Sequence, residues 1–325
     1  MIQSWAIFAL TLLASGLLLL GIVILLMARR LLQPERMTDW KATWVLKRLS
    51  PGDLDLPFEE VRFDIRDEQT GRTLRIAGWW ILASPPSRRT MLLLHGFSDA
   101  KVGAIAWAPI LHALGWNILA IDLRAHGESG GKYTTAGYWE RHDVNEVINR
   151  FRAAQPAETE TLAIFGISLG AAVAVATAAT RDDIAALILE SPYGDYRMAI
   201  AAHAQMQGFR GEFPRNVGVR LAEWISGADF NAVRPRELIG KVKCPVMIIH
   251  AGDDRFILDA DAAALDEALK ARGNERDTIW KIPDAGHVLG MAATGPEEYR
   301  QHLATFFDAL TPSLAPHVAS NSPNC

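Results

Sequence analysis

Ile164-Phe165-Gly166-Ile167-Ser168-Leu169-Gly170 decides how the chain is read. Leu162 to Phe165 is a short apolar run suited to a buried strand, and residues 171–179 form an alanine-rich run that favours helix. Between them, the Gly-x-Ser-x-Gly spacing predicts a sharp strand-to-helix turn that forces Ser168 into a strained backbone position with its hydroxyl exposed. Leu169 then falls in the first helical turn, where N–H groups have no intrahelical partner. Five residues of this kind recur by chance in many chains. Their meaning depends on whether the rest of the sequence supplies a base, a carboxylate and a second oxyanion donor.

Outward from that turn, strand and helix periods alternate. Residues 58–66 and 74–82 alternate apolar and polar side chains around turn chemistry at Thr70-Gly71, which predicts an antiparallel pair. Residues 90–94 read as a strand buried on both faces, followed by helix 102–114, strand 116–121, helix 139–154 and strand 161–165. Beyond the serine come strand 184–190, strand 246–250, helix 259–271, strand 278–282 and helix 296–309. This order predicts one α/β domain at 58–310, a mostly parallel sheet with helices on both faces. Residues 191–236 break the alternation, with helix-like pieces at 196–206 and 217–226 separated by Gly208, Gly211 and Pro214. This insertion is placed to form a small helical lid over the strand ends; a surface excursion with no substrate role is the other reading. Residues 311–325, rich in Pro, Ser and Asn, predict a disordered tail.

In an open α/β sheet, ligands bind beyond the carboxyl ends of the strands. Three chemically apt residues fall there: Ser168, Asp254 after strand 246–250, and His287 after strand 278–282. His112 and His302 lie in helical patterns, His203 in the insertion, His317 in the tail, and His250 precedes the carboxylate, which leaves His287 as base. Asp254 is favoured over its neighbour Asp253 to orient the imidazole. The loop His95-Gly96-Phe97-Ser98-Asp99 follows strand 90–94. Gly96 permits close backbone approach and Phe97 N–H pairs with Leu169 N–H as an oxyanion donor. His95 is expected to buttress this loop, and Ser98-Asp99 to cap the next helix.

Composition narrows the partners. A chain of 325 residues with formal net charge −4 gives no reason to expect nucleic acid. Its two cysteines, Cys244 and Cys325, cannot build a disulfide framework, and Cys244 reads as a small core residue. Cys and His show no zinc spacing, so neither metal nor cofactor is expected. From Trp5 to Ala28 no residue is charged, and as a helix this run spans about 36 Å, more than the ~30 Å of a hydrocarbon core. A cleaved signal peptide is the competing reading, but no Lys or Arg precedes the run and no small-x-small site follows it. Residues 1–28 therefore predict a transmembrane helix, and 29–57 a basic connector. Arg29, Arg30, Arg36, Lys41, Lys47 and Arg48 lie on its C-terminal flank, which places the following domain on the cytoplasmic face of a single-pass protein. Trp40 and Trp44 share a helix face and suit either the bilayer interface or packing on the domain.

With these residues in hand, the chain resembles an α/β-hydrolase of the serine-aminopeptidase-like, esterase- and lipase-like branch. The resemblance runs from about Phe58 to Phe307. It is carried by His95-Gly96-Phe97, Asp122-Leu123-Arg124-Ala125-His126-Gly127-Glu128-Ser129-Gly130-Gly131, Gly137-Tyr138-Trp139-Glu140 with Asp143, and Gly166-Ile167-Ser168-Leu169-Gly170. His250-Ala251-Gly252-Asp253-Asp254 and Ala285-Gly286-His287 complete it, with Ala251 where the family more often has Gly. The order Ser, Asp, His is that of α/β-hydrolases. The resemblance implies a Ser168-Asp254-His287 triad and a structural role for Asp122 and His126. The expected activity is cleavage of carboxylic esters of small acyl substrates, lipid-like ones among them, through an acyl-enzyme. Aminopeptidase-like, thioesterase or acyltransferase chemistry on the same triad is the alternative, and a non-catalytic interaction module the alternative of a different class.

Overall fold

The computed structural model describes residues 2–208 and 211–310; the tail expected at 311–325 lies outside the described residues. Helices α1 (Ile2–Leu32) and α2 (Asp39–Val45) precede the sheet. Strands β1 (Glu59–Arg66) and β2 (Thr73–Ile81) then pair antiparallel, Glu59 opposite Trp80 and Arg66 opposite Thr73. The chain continues through β3 (Arg89–Leu94), α3 (Lys101–Ala104), α4 (Ala108–Ala113), β4 (Asn117–Ile121), α5 (Glu140–Ala154), β5 (Thr161–Ile167), α6 (Leu169–Ala178) and β6 (Leu187–Glu190). After the insertion helices α7 (Tyr196–Met206), α8 (Glu212–Ser226) and α9 (Pro235–Leu238) come β7 (Val246–Ala251), α10 (Asp259–Lys270), β8 (Thr278–Ile282), α11 (Gly290–Thr294) and α12 (Pro296–Asp308). The strands form one eight-stranded sheet in the order β1-β2-β4-β3-β5-β6-β7-β8, parallel from β4 to β8.

Successive strand side chains point to opposite faces, and the apolar runs of the inner strands fill both. In β5, Leu162 and Ile164 join α5, α6 and α10 on one side, while Ala163 and Phe165 join α4 and α12 on the other. Helix α6 is buried all round, which its alanines allow because each needs little room.

The single helix expected at 102–114 is broken into α3, a tight turn at Ile105–Trp107 and α4. Pro109 has no N–H to offer the Ile105 carbonyl, and Ala108 N–H takes that carbonyl in a tighter turn instead. Ser98 and Asp99 do not cap α3, whose first flanking residue is Ala100 with no side-chain bond. Asp99 turns inward against Gly103, in a space that a β-carbon there would fill.

Helix α1 runs to Leu32, past the expected end at 28, because Arg29, Arg30, Leu31 and Leu32 all favour helix and Pro34 is the first residue that stops it. Ala28 and Leu32 are buried with Val219 and Ala222 of α8, and the Leu32 carbonyl accepts from Thr134 N–H at 2.9 Å. Part of the connector's positive charge is used internally. Arg36 donates to the carbonyls of His126 (3.2 Å), Gly127 (2.7 Å), Ser129 (2.7 Å) and Gly131 (3.3 Å). Arg36→Ala should therefore cost about 2 kcal/mol of stability, read as a lower denaturant midpoint, since it strips these carbonyls of a charged donor. An unchanged midpoint would mean that water replaces the guanidinium without loss. Trp40 and Trp44, with rings 6.1 Å apart, are 72% and 70% exposed, so packing on the domain does not account for them.

Candidate active site

Ser168 stands between the end of β5 and the first residue of α6 with φ 52° and ψ −109°. A side chain with a β-carbon is strained there. The flanking glycines are required by crowding: a β-carbon on Gly166 would lie 2.6 Å from Ala171 Cα, and one on Gly170 would lie 2.6 Å from the Leu94 carbonyl carbon and 2.7 Å from His95 O. The turn is thus wedged between the helix it starts and the end of β3.

Two loops meet this serine. In the loop after β8, His287 places Nε2 3.0 Å from Ser168 Oγ and Nδ1 2.7 Å from Asp254 Oδ2. The other Asp254 oxygen accepts from Phe256 N–H (2.9 Å) and Ile257 N–H (3.1 Å), which fixes the carboxylate as an acceptor. Nδ1 of His287 is then the donor, and Nε2 is left as an acceptor facing the Ser168 hydroxyl. Asp253 is exposed, and among the described residues its backbone N–H bonds Ala285 O at 2.8 Å, so it is Asp254 and not Asp253 that meets His287. In the loop after β3, a β-carbon on Gly96 would sit 3.6 Å from Ser168 Cβ, which brings the segment carrying Phe97 beside the serine. Leu169 follows the serine directly as the first residue of α6.

The other candidates take structural positions. Asp122 accepts from Lys101 N–H (2.7 Å), Lys101 Nζ (2.8 Å) and Glu128 N–H (2.9 Å). His250 bonds Asp266 at 2.7 Å, and His302 stacks on Trp280. His203 of α7 stacks on Phe256, whose ring is 5.0 Å from that of His287, so the insertion reaches the site. Among the described residues, no group of three or more His, Cys, Asp or Glu could hold a metal ion. Cys244 is buried in the core.

Some supports were not foreseen. Ser191, at φ 47° just after β6, accepts from Val288 N–H at 3.0 Å and so holds the histidine loop. Buried Glu190 accepts from Tyr299 OH at 2.6 Å, and burial pushes its carboxyl up to about 7. The signal was present as a charged residue closing an apolar strand, Leu187-Ile188-Leu189-Glu190.

Residues 85–228 match the family model described as serine aminopeptidase, S33. A Bacillus subtilis protein, YqkD, is 27% identical over 238 residues, covering 69% of this chain and 72% of its own. The Caenorhabditis elegans alpha/beta hydrolase domain-containing protein aho-3 is 27% identical over 228 residues, and the match spans 69% of this chain and 60% of that protein. The Pyrococcus furiosus esterase Pf2001 superposes with TM-score 0.68 at 23% identity, over 86% of this chain and 98% of that one. The chain has the α/β-hydrolase fold.

In this fold His95 is fully buried; its Nδ1 faces Gly96 O at 2.7 Å and its Nε2 accepts from Leu123 N–H at 2.9 Å. It ties the loop carrying Phe97 to the loop after β4. Burial, with help from His126 and Lys101, holds its pKa well below the usual 6.5. A depressed histidine contributes stability that is full above about 6.5 and is lost as pH falls through the folded value. Two-dimensional ¹⁵N–¹H NMR should therefore show the Nδ1–H tautomer of His95 persisting at about pH 5.5, where a free imidazole is mostly protonated. Titration near 6.5 would contradict this.

Proposed function

We propose that the protein is a membrane-anchored serine hydrolase that cleaves carboxylic esters through an acyl-enzyme. The observation that carries this reading is the continuous hydrogen-bond line from Ser168 Oγ through His287 to Asp254 at the carboxyl edge of the sheet. As Ser168 Oγ attacks the ester carbonyl, its proton passes to His287 Nε2, and Asp254 stabilises the imidazolium. Phe97 and Leu169 N–H receive the oxyanion, each such donor contributing about 3 kcal/mol in the transition state. His287 returns the proton to the departing alcohol; a water activated by the same imidazole then releases the acid and frees Ser168.

That the Pyrococcus furiosus neighbour is an esterase supports ester over amide as the substrate here. Helix α1 is long and apolar enough to cross a membrane, and with an apolar insertion beside the site it favours lipid-like acyl groups. Arg29 and Arg30 at its end favour a cytoplasmic catalytic domain, with exposed Trp40 and Trp44 at the interface. The family description, serine aminopeptidase, supports a second reading in which the same triad cleaves amides.

Labelling of the detergent-extracted protein with a fluorophosphonate tests the chemistry: wild type should label and Ser168→Ala should not. No labelling of wild type would remove both readings and restore the non-catalytic alternative. p-Nitrophenyl esters of increasing chain length, compared with aminoacyl anilides and acyl thioesters, then separate the substrate classes. Faster anilide turnover would replace the ester reading. Reactivity of a cysteine placed at Lys41 to an external reagent on intact cells would reverse the orientation.

A further inference from the structure

Helix α8 has two apolar faces. The inner one, Gly218, Val219 and Ala222, is buried against α1 and the insertion core. The outer one is formed by Phe213, Val217, Leu221 and Trp224, spaced four, four and three apart so that they share one stripe. Phe213 is 69% exposed and Trp224 81%, and Val217 and Leu221 are half-buried between them. A soluble surface helix carries polar side chains on that face.

What covers the stripe follows from where α8 sits. A β-carbon on Gly218 would lie 3.4 Å from Met27 Cβ and 3.6 Å from Ile24 O. Ile24 and Met27 precede Arg29, the first charge after the apolar run, so α8 touches α1 inside the segment read as membrane span. At about 1.5 Å per residue, Ile24 lies about 7 Å on the apolar side of Arg29. Leu20, Val23, Ile24 and Met27 are half-buried along α1, while Trp5–Leu19 are exposed throughout. Gly218 permits this approach because it offers no side chain at the crossing.

We infer that α8 is a second membrane element: an interfacial helix lying in the bilayer beside α1, with Phe213, Val217, Leu221 and Trp224 facing the lipid. This rests on the reading of α1 as a membrane span. Arg215 and Arg220 of α8 have stems long enough to carry their charges up to the headgroups. The neighbouring helix α7 holds His203 against Phe256, and Phe256 against His287. The insertion thus links the lipid-facing helix to the triad through packed side chains.

Depth-dependent quenching on the full chain in nanodiscs tests this. In a Cys325→Ser background, with Cys244 buried, single cysteines at Leu13, Phe213, Trp224 and Arg276 are labelled with an environment-sensitive fluorophore. Arg276, exposed before β8 at the opposite end of the strands, is the aqueous control. With nitroxide lipids labelled on the acyl chain, positions 213 and 224 should lose most of their fluorescence, as should 13, while 276 keeps it. Quenching at 13 with none at 213 and 224 would overturn the inference and leave the span intact. No quenching at 13 would overturn the span itself and the inference with it. The milder variants Phe213→Tyr and Trp224→Tyr, labelled at Val217→Cys, guard against misfolding: quenching should persist at 217, and its absence in a normally folded protein counts against the inference.

Discussion

Ser168→Ala should reduce ester turnover roughly 10⁵- to 10⁶-fold, because removal of the nucleophile leaves only the rate supplied by binding and oxyanion donors. The effect on stability should be small, since alanine keeps the β-carbon and with it the strain of φ 52° and ψ −109°. Ser168→Gly separates the two quantities. That backbone geometry is the mirror image of an ordinary extended conformation, which glycine enters as readily as its opposite. Release of about 1–3 kcal/mol of strain, less about 0.5–1 kcal/mol for the greater freedom of unfolded glycine, predicts a gain near 1 kcal/mol. Both variants should be inactive, with the glycine form melting a few degrees higher in a detergent thermal scan. If glycine were no more stable than alanine, strain at the turn would not be stored in the native state.

Gly170→Ala should be the most damaging single methyl in the chain. The added carbon would lie 2.6 Å from the Leu94 carbonyl carbon and 2.7 Å from His95 O, and both are backbone atoms that no rotamer change can move aside. Relief requires α6 to lift from the end of β3, at a cost of about 3–5 kcal/mol, above the usual range for overpacking. The displaced backbone leads directly to Gly96 and Phe97, so any folded fraction should also lose turnover. Denaturant titration alongside initial rates with a soluble ester would measure both effects. A normal midpoint with full activity would show that the turn is looser than its packing implies.

The sheet was legible because its inner strands are continuous apolar runs between turn residues, and β8 was placed residue for residue at Thr278–Ile282. The three residues that meet at the site were legible because each lies at or just beyond a strand's carboxyl end: Ser168 after β5, Asp254 after β7, His287 after β8. The division of α3 from α4 was less so, as it depends on one missing N–H at Pro109 inside an otherwise periodic helix. Ser98-Asp99 has the composition of a cap, yet burial turned Asp99 inward to a place that only the folded neighbours define. The contact of α1 with α8 is between residues far apart in the chain, and neither helix signals it alone. Gly218, read in isolation, is an unexplained break in helix propensity; beside Met27 it is a crossing point.

The junction after α1 has a mechanical consequence. Thr134 N–H holds Leu32 O, and Arg36 grips the loop at 126–131, so two sets of hydrogen bonds tie the domain to the end of the helix and oppose a swivel there. With α1 in a bilayer, the mouth of the site would keep one height and one bearing and would not sweep the surrounding water. Encounter would then depend on two-dimensional diffusion of the ester to a fixed opening. Turnover would follow the mole fraction of substrate in the membrane and stay indifferent to its bulk concentration.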